Sequence, residues 1–253
     1  MASRDEIIAF CDELLDSPSF DDYGPNGLQV PGSGDVSRIA SGVSAHAELI
    51  ERALAAGAQM LLVHNGLFWS KAPSALSEGM AGRLRAALGG ELSIAGYHLP
   101  LDAHPEIGNN ALLCDRLSFT LAGIELGVHG GRPVGAVGRS EEAVAASELF
   151  RRVAEVTGRE PLTFDSGPRE VRSIGIVSGG AAGDLGGAIA LGLDAFLTGE
   201  PSEPAMAEAR EGDIHFIAAG HYATETFGIR ALGDRVAERF GVEHDFIDVP
   251  NPV

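Results

Sequence analysis

The chain is 253 residues long and 45% hydrophobic, enough to bury a large core in one domain or two, yet no stretch is long enough to cross a bilayer. Its 36 acidic residues against 18 basic ones leave a net charge of −18, which repels nucleic-acid phosphate and anionic membranes. The N-terminal MASRDEIIAFCDELLD is acidic and amphipathic, unlike a secretory leader, so the expected location is cytoplasmic.

Helix and strand signals alternate along the chain, with short connections marked by Gly or Pro. Ser3 is placed to cap a first helix running to residue 16, with Glu6 completing a capping box. Irregular chain is expected over 17–35, then a strand at 38–43, a helix at 48–56 and a strand at 60–64. A helix at 79–88 leads to a strand at 92–98 and a loop, LPLDAHP, in which Pro100 argues against continuous helix. Residues 134–137 read as a short strand and 140–156 as a helix. After them come a strand at 171–177, a glycine-rich turn, a helix at 185–191 and a strand at 195–198. A helix at 203–211, a strand at 214–219, a helix at 224–240 and a last strand at 243–249 complete an α/β chain.

The chain also echoes itself. A shift of 135 residues lays ALAAGAQMLLVHN over AIALGLDAFLTGE without a gap, placing Ile39 on Ile174 and Leu62 on Leu197. A different shift lays IAGYHLPLD over IAAGHYATE, placing His98 on His221 and Asp102 on Glu225. The expectation is a duplicated strand–helix–strand unit, with an N-terminal half over 1–125 and a C-terminal half over 126–253. In such folds ligands gather at the carboxyl ends of strands.

The chemistry-bearing residues fall there. His64 closes the apolar run LLVHN, beside Asn65 and ahead of Gly66 and the lone tryptophan, Trp69. YHLPLDAHP offers His98, Asp102 and His104; GHYATETFG offers His221 and, one helical turn on, Glu225. Each has a bland reading: Asp102 as a helix cap, Thr224 as a cap with Glu225 facing the helix dipole, and Trp69 as core. Together His64, Asp102, His221 and Glu225 form an imidazole–carboxylate set without thiolate, suited to zinc, manganese, iron, cobalt or nickel. His46, His129, His215 and His244 lack comparable neighbours and read as structural or surface residues. Cys11 and Cys114 read as buried thiols. The run VSGGAAGDLGG reads as tight strand–helix packing in preference to a phosphate cradle, since it lacks a P-loop ending.

The blocks VHNGLFW, YHLPLDAHPEIGNN, DAFLTGE and GHYATETFG, with the early NGLQV, resemble the signature segments of the Nif-three-like family, whose members are often labelled GTP cyclohydrolase I type II homologues. The resemblance runs from Asn26 to Gly228. It implies two similar, intertwined three-layer α/β/α domains with mixed sheets, a toroidal homohexamer and a dinuclear metal site. Carried onto this chain, the implied ligands are His64, Asp102, His221 and Glu225. Where the resemblance implies a second adjacent histidine, this chain has Asn65, a weaker neutral donor. Two divalent transition-metal ions per chain are therefore expected, one of them loosely held, with His98 as a substitute ligand. The implied activity is metal-dependent hydrolysis of a small phosphorylated or nucleotide-like substrate, with Asp102 or Glu225 as base. The alternative is a metal-storing, sensing or delivering protein, or a hexameric scaffold.

Lys71 is the only lysine among the 18 basic residues. An acidic, lysine-poor surface of this kind suits a protein that works in concentrated salt, where screening removes self-repulsion.

Overall fold

The structure, a computed structural model, describes residues 1–73 and 75–253. The chain is an α/β protein with mixed sheets, and it divides into two units. One comprises Met1–Leu101 and Gly228–Val249, the other Asp102–Phe227 and Pro250–Val253. The chain thus leaves the first unit at Leu101, not near residue 125, and its last long helix and strand return to it.

The first unit is built on a five-stranded sheet. Three parallel strands, Arg38–Ser44, Met60–Asn65 and Ser93–Gly96, lie side by side in chain order. Glu243–Phe246 joins them in parallel beside the first, while Gly27–Val30 closes the other edge antiparallel. Met60, Leu61, Leu62 and Val63 are all fully buried, which explains why the sequence there is continuously apolar instead of alternating. The helix Ala47–Ala55 sets Leu49, Ile50 and Ala53 into a cluster with Leu61, Val63 and Ile94. His46 caps this helix, its Nδ1 accepting from the Leu49 N–H at 3.3 Å.

The second unit carries a six-stranded sheet. Glu170–Val177, Ala195–Thr198 and His215–Ala218 run parallel and adjacent, with Leu162–Phe164 antiparallel at one edge. At the other edge stands a long hairpin, Thr120–His129 and Arg132–Ala145. Its core gathers Ile174, Ile176, Leu197 and Ile217 against Leu113, Leu149 and Val153.

The two sheets share three adjacent parallel strands with an antiparallel strand at one edge. Ile39 pairs with Met60 and Ile174 with Ala195, so the 135-residue shift seen in the sequence also relates the pairings. The second shift is one residue out in the sheet: Leu62 faces Ala95, whereas Leu197 faces Ile217. The second unit therefore has one more residue before its histidine.

Several local expectations are corrected. Ser3 makes no capping hydrogen bond through its side chain; instead Ala2–Ser3 pairs with Asp35–Val36. Residues 99–102 form a helical turn, Leu99–Asp102, which Pro100 permits because the first turn of a helix needs no N–H. The helix expected from residue 140 starts at Ala146, because Val144 and Ala145 are taken up in pairing with Val171 and Glu170. Gly27–Val30, expected irregular, is a strand. The helix expected over 224–240 divides into His221–Thr224 and Thr226–Phe240.

Candidate metal centre

His64 sits near the end of Met60–Asn65, with no exposed surface. Its Nδ1 lies 2.9 Å from the Tyr97 carbonyl oxygen. A carbonyl can only accept, so Nδ1 carries the proton and the lone pair of the neutral ring is on Nε2. Asn65 is still part of the strand, paired with Ser44, and the chain turns only at Gly66. Gln29 holds that turn: its Oε1 accepts from the Leu67 N–H at 2.7 Å while its Nε2 donates to the Pro25 carbonyl at 2.7 Å. Beyond the turn, half-buried Trp69 meets the His98 ring edge-on, with centroids 5.2 Å apart, so it packs on a candidate ligand.

His98 follows the neighbouring strand, two residues past its end at Gly96. Its Nδ1 lies 2.8 Å from Asp22 Oδ1, and its ring stands 5.2 Å from that of His64. Asp102 closes the helical turn that begins in the first unit at Leu99. Its Oδ1 accepts from Asn109 Nδ2 at 2.8 Å and from Ser178 Oγ at 3.0 Å, which fixes the carboxylate plane. Ligand atoms of His64, His98 and Asp102 all lie within 4.8 Å of one another. Donors around a tetrahedral ion with bonds of about 2.1 Å stand about 3.4 Å apart, so small side-chain movements suffice to enclose one. Two imidazoles and a carboxylate suit a divalent transition metal, and this group is a candidate site for one. His104 does not join it; its Nδ1 accepts from the N–H groups of Glu106 and Ile107 and shapes the next turn.

The second unit presents a related arrangement. His221 opens the turn His221–Thr224, and Glu225 follows it, only 3% exposed. His221 Nε2 lies 3.1 Å from Glu225 Oε1, while its Nδ1 contacts Glu200 Oε1. Burial is the largest influence on this imidazole and acts to lower its pKa. The hydrogen bonds and charges of Glu225 and Glu200 together outweigh it and push the value up to about 9. Gly179 makes the approach sterically feasible. A Cβ there would lie 2.4 Å from Glu225 Oε1 and 3.3 Å from His221 Nε2, and its φ of +69° suits glycine. Within the glycine-rich turn Gly179 and Gly187 are closely packed while Gly183 and Gly186 have open space around them, and the N–H groups of Ser178, Gly179, Ala181 and Asp184 are all bonded internally. Thr224 does not cap the long helix; its hydroxyl accepts from the Gly179 N–H, and its single O–H has the carbonyls of Gly220 and His221 as acceptors, each at 2.9 Å.

The remaining histidines are structural: His46 caps a helix, His129 meets Asp184, His215 meets the Pro168 carbonyl and His244 lies between Ser41 and Asp234. Both cysteines are free and buried, and desolvation pushes each thiol up to about 12. Asp22 and Glu200, the acids on the two Nδ1 atoms, were not expected from the sequence, although Glu200 ends the quoted DAFLTGE block. Nor were roles for Asn109 and Ser178.

The family model described as Duf34/NIF3 (NGG1p interacting factor 3) matches residues 2–252. A relative from Pseudomonas aeruginosa named "GTP cyclohydrolase 1 type 2 homolog" is 44% identical over 97% of both chains. An Escherichia coli relative of the same name is 41% identical over 98% of both. Among solved structures, one titled "Structural genomics, protein ybgI, unknown function" superposes with a TM-score of 0.94 at 39% identity, covering all of both chains. The Thermus thermophilus protein TTHA1606 gives 0.89 at 33%, again covering all of both. No helix among the described residues is long and apolar enough to cross a membrane. With its length matched almost end to end, the chain belongs to the Duf34/NIF3 family.

Proposed function

We propose that this protein is a metal-dependent hydrolase of a small phosphorylated or nucleotide-like substrate. The observation that carries the reading is the convergence of His64, His98 and Asp102, with both histidines already committed through Nδ1. The nucleotide class is supported by the printed names of the relatives. Two divalent ions per chain are proposed, drawing on His64, His98 and Asp102 and on His221 and Glu225. Asn65 serves as a weak or neighbouring donor, so one ion is held loosely. When bound, such ions supply Lewis acidity toward a phosphoryl or carbonyl group and acidify a coordinated water. The chain's own part is to keep Asp102 oriented through Asn109 and Ser178, and to offer Asp102 or Glu225 as proton acceptor. Assembly into a toroidal homohexamer, and descent of the two units from a duplicated ancestor, belong to the same proposal.

Protein purified without a His tag should retain transition metal by elemental analysis. Loaded protein should turn over at least one member of a panel of nucleotides and phosphate esters. Asp102→Ala should lower that turnover at least about 100-fold with an unchanged circular dichroism spectrum. Rapid reversible metal exchange with no turnover across the panel would make the chain a metal carrier instead. Tight, full occupancy of both ions would contradict the weakening assigned to Asn65.

A further inference from the structure

Asp22 stands 76 residues before His98, in a segment whose sequence suggests only irregular chain. Its side chain is 2% exposed, less than the 20% of the imidazole it meets. Four donors converge on it. Oδ1 receives the His98 Nδ1–H at 2.8 Å and the Tyr23 N–H at 2.6 Å; Oδ2 receives the Leu99 N–H and Asn26 Nδ2, each at 2.9 Å. Asn26 in turn accepts the His98 N–H through Oδ1, also at 2.9 Å. A buried carboxylate surrounded only by donors acts as a pure acceptor, so the proton of neutral His98 must reside on Nδ1. Nε2 is then the metal-binding atom, as it is in His64.

We propose that Asp22 is a positioning residue: its carboxylate fixes the tautomer and ring orientation of His98, so that Nε2 is presented to a metal together with His64 and Asp102. The proposal rests on the metal reading above. Carboxylate–imidazole–metal chains of this kind raise the basicity of the ligating nitrogen and lock its direction. The second unit has the same pattern, with Glu200 on His221 Nδ1, but Glu200 is 41% exposed. The acid beside His98 is the one shielded from solvent.

Asp22→Asn tests the assignment because the amide cannot satisfy all four donors. With its NH2 at the Oδ2 position it opposes the Leu99 N–H and Asn26, whose own amide is held by His98. With its NH2 at the Oδ1 position it opposes the Tyr23 N–H and His98. Only the imidazole can become an acceptor, by moving its proton to Nε2, so the second placement wins and closes the metal-binding nitrogen.

Long-range nitrogen NMR on metal-free wild-type protein at about pH 8 should therefore find His98 protonated on Nδ1 alone, and on Nε2 in Asp22→Asn. Titration with cobalt(II) should show affinity reduced about 10- to 100-fold in the variant, with circular dichroism and cooperative unfolding retained. Cobalt affinity and tautomer both unchanged in Asp22→Asn overturn the positioning role and leave the metal site standing. Wild-type protein that takes up no cobalt overturns both. Should the variant fail to fold, the wild-type spectrum decides: a proton on His98 Nε2 overturns the proposal, and its absence with Nδ1–H present supports it.

Discussion

His221 is held as an imidazolium by two carboxylates, and that has a consequence for metal-free protein. Its pKa is raised to about 9 from an ordinary value near 6.5, despite burial that works the other way. A group whose folded pKa is raised stabilises the fold fully below its unfolded pKa, and the contribution is lost as pH climbs through the folded value. The contact should therefore stabilise protein stripped of metal up to about pH 6.5 and fade towards about pH 9. Glu225→Gln removes the buried one of the two charges, and the decline of Tm across that window should flatten. Melts of chelator-treated wild type and variant at several pH values check this, and parallel curves would remove the pair from the account. Part of the candidate cluster was legible here: His64 and Asp102, with His98 as a substitute, follow apolar runs in the sequence and meet in one group. Their fixing groups were not, because Asp22 and His98 meet only once the sheet brings Gly27–Val30 beside Ser93–Gly96. Proximity along the chain carries no trace of that contact.

At the level of elements, strands buried on both faces were easy to read and the hairpin was not. Met60–Asn65 and Ala195–Thr198 are short apolar runs between turn signals. Thr120–His129 and Arg132–Ala145 are half-exposed, glycine-bearing and register-shifted, so their alternation breaks down. The surviving local signal was Gly130–Gly131, whose φ values of +56° and +78° fit a two-residue turn between strands of right-handed twist. Residues 140–145 misled for another reason: Glu and Ala there favour helix, but pairing with Glu170 and Val171 overrides the local preference. Gly131→Ala gives the hairpin a clean test, since no atom lies within 4 Å of the added Cβ and only the positive φ is penalised. It should cost about 1 kcal/mol in urea unfolding. Gly186→Ala is equally uncrowded but lies in the helix Leu185–Ala190, where it should stabilise by about 0.5 kcal/mol. Equal effects of the two would refute the turn geometry.

For the whole molecule, charge was the plainest message of the sequence, and it sets the response to salt. If every one of the 18 basic residues neutralised one acid, 18 of the 36 acids would still stand uncompensated. The Arg151 and Arg152 contacts to Glu148, and those of Arg38 to Glu243 and Asp245, join half-buried or exposed side chains in contact with solvent, whose pairing is worth little and weakens with salt. Repulsion among the excess carboxylates therefore outweighs what screening removes from the pairs. Added KCl should raise Tm. The shape of the rise separates two causes. The Debye length falls from about 10 Å at 0.1 M to about 3 Å at 1 M, so relief of repulsion is nearly complete by about 1 M. Stability that continues to climb at higher KCl requires more than screening, and this is the behaviour expected of a carboxylate-rich surface adapted to concentrated salt. A plateau near 1 M marks an ordinary acidic protein, and a fall in Tm at any point below it would mean that the few ion pairs outweigh the excess charge after all.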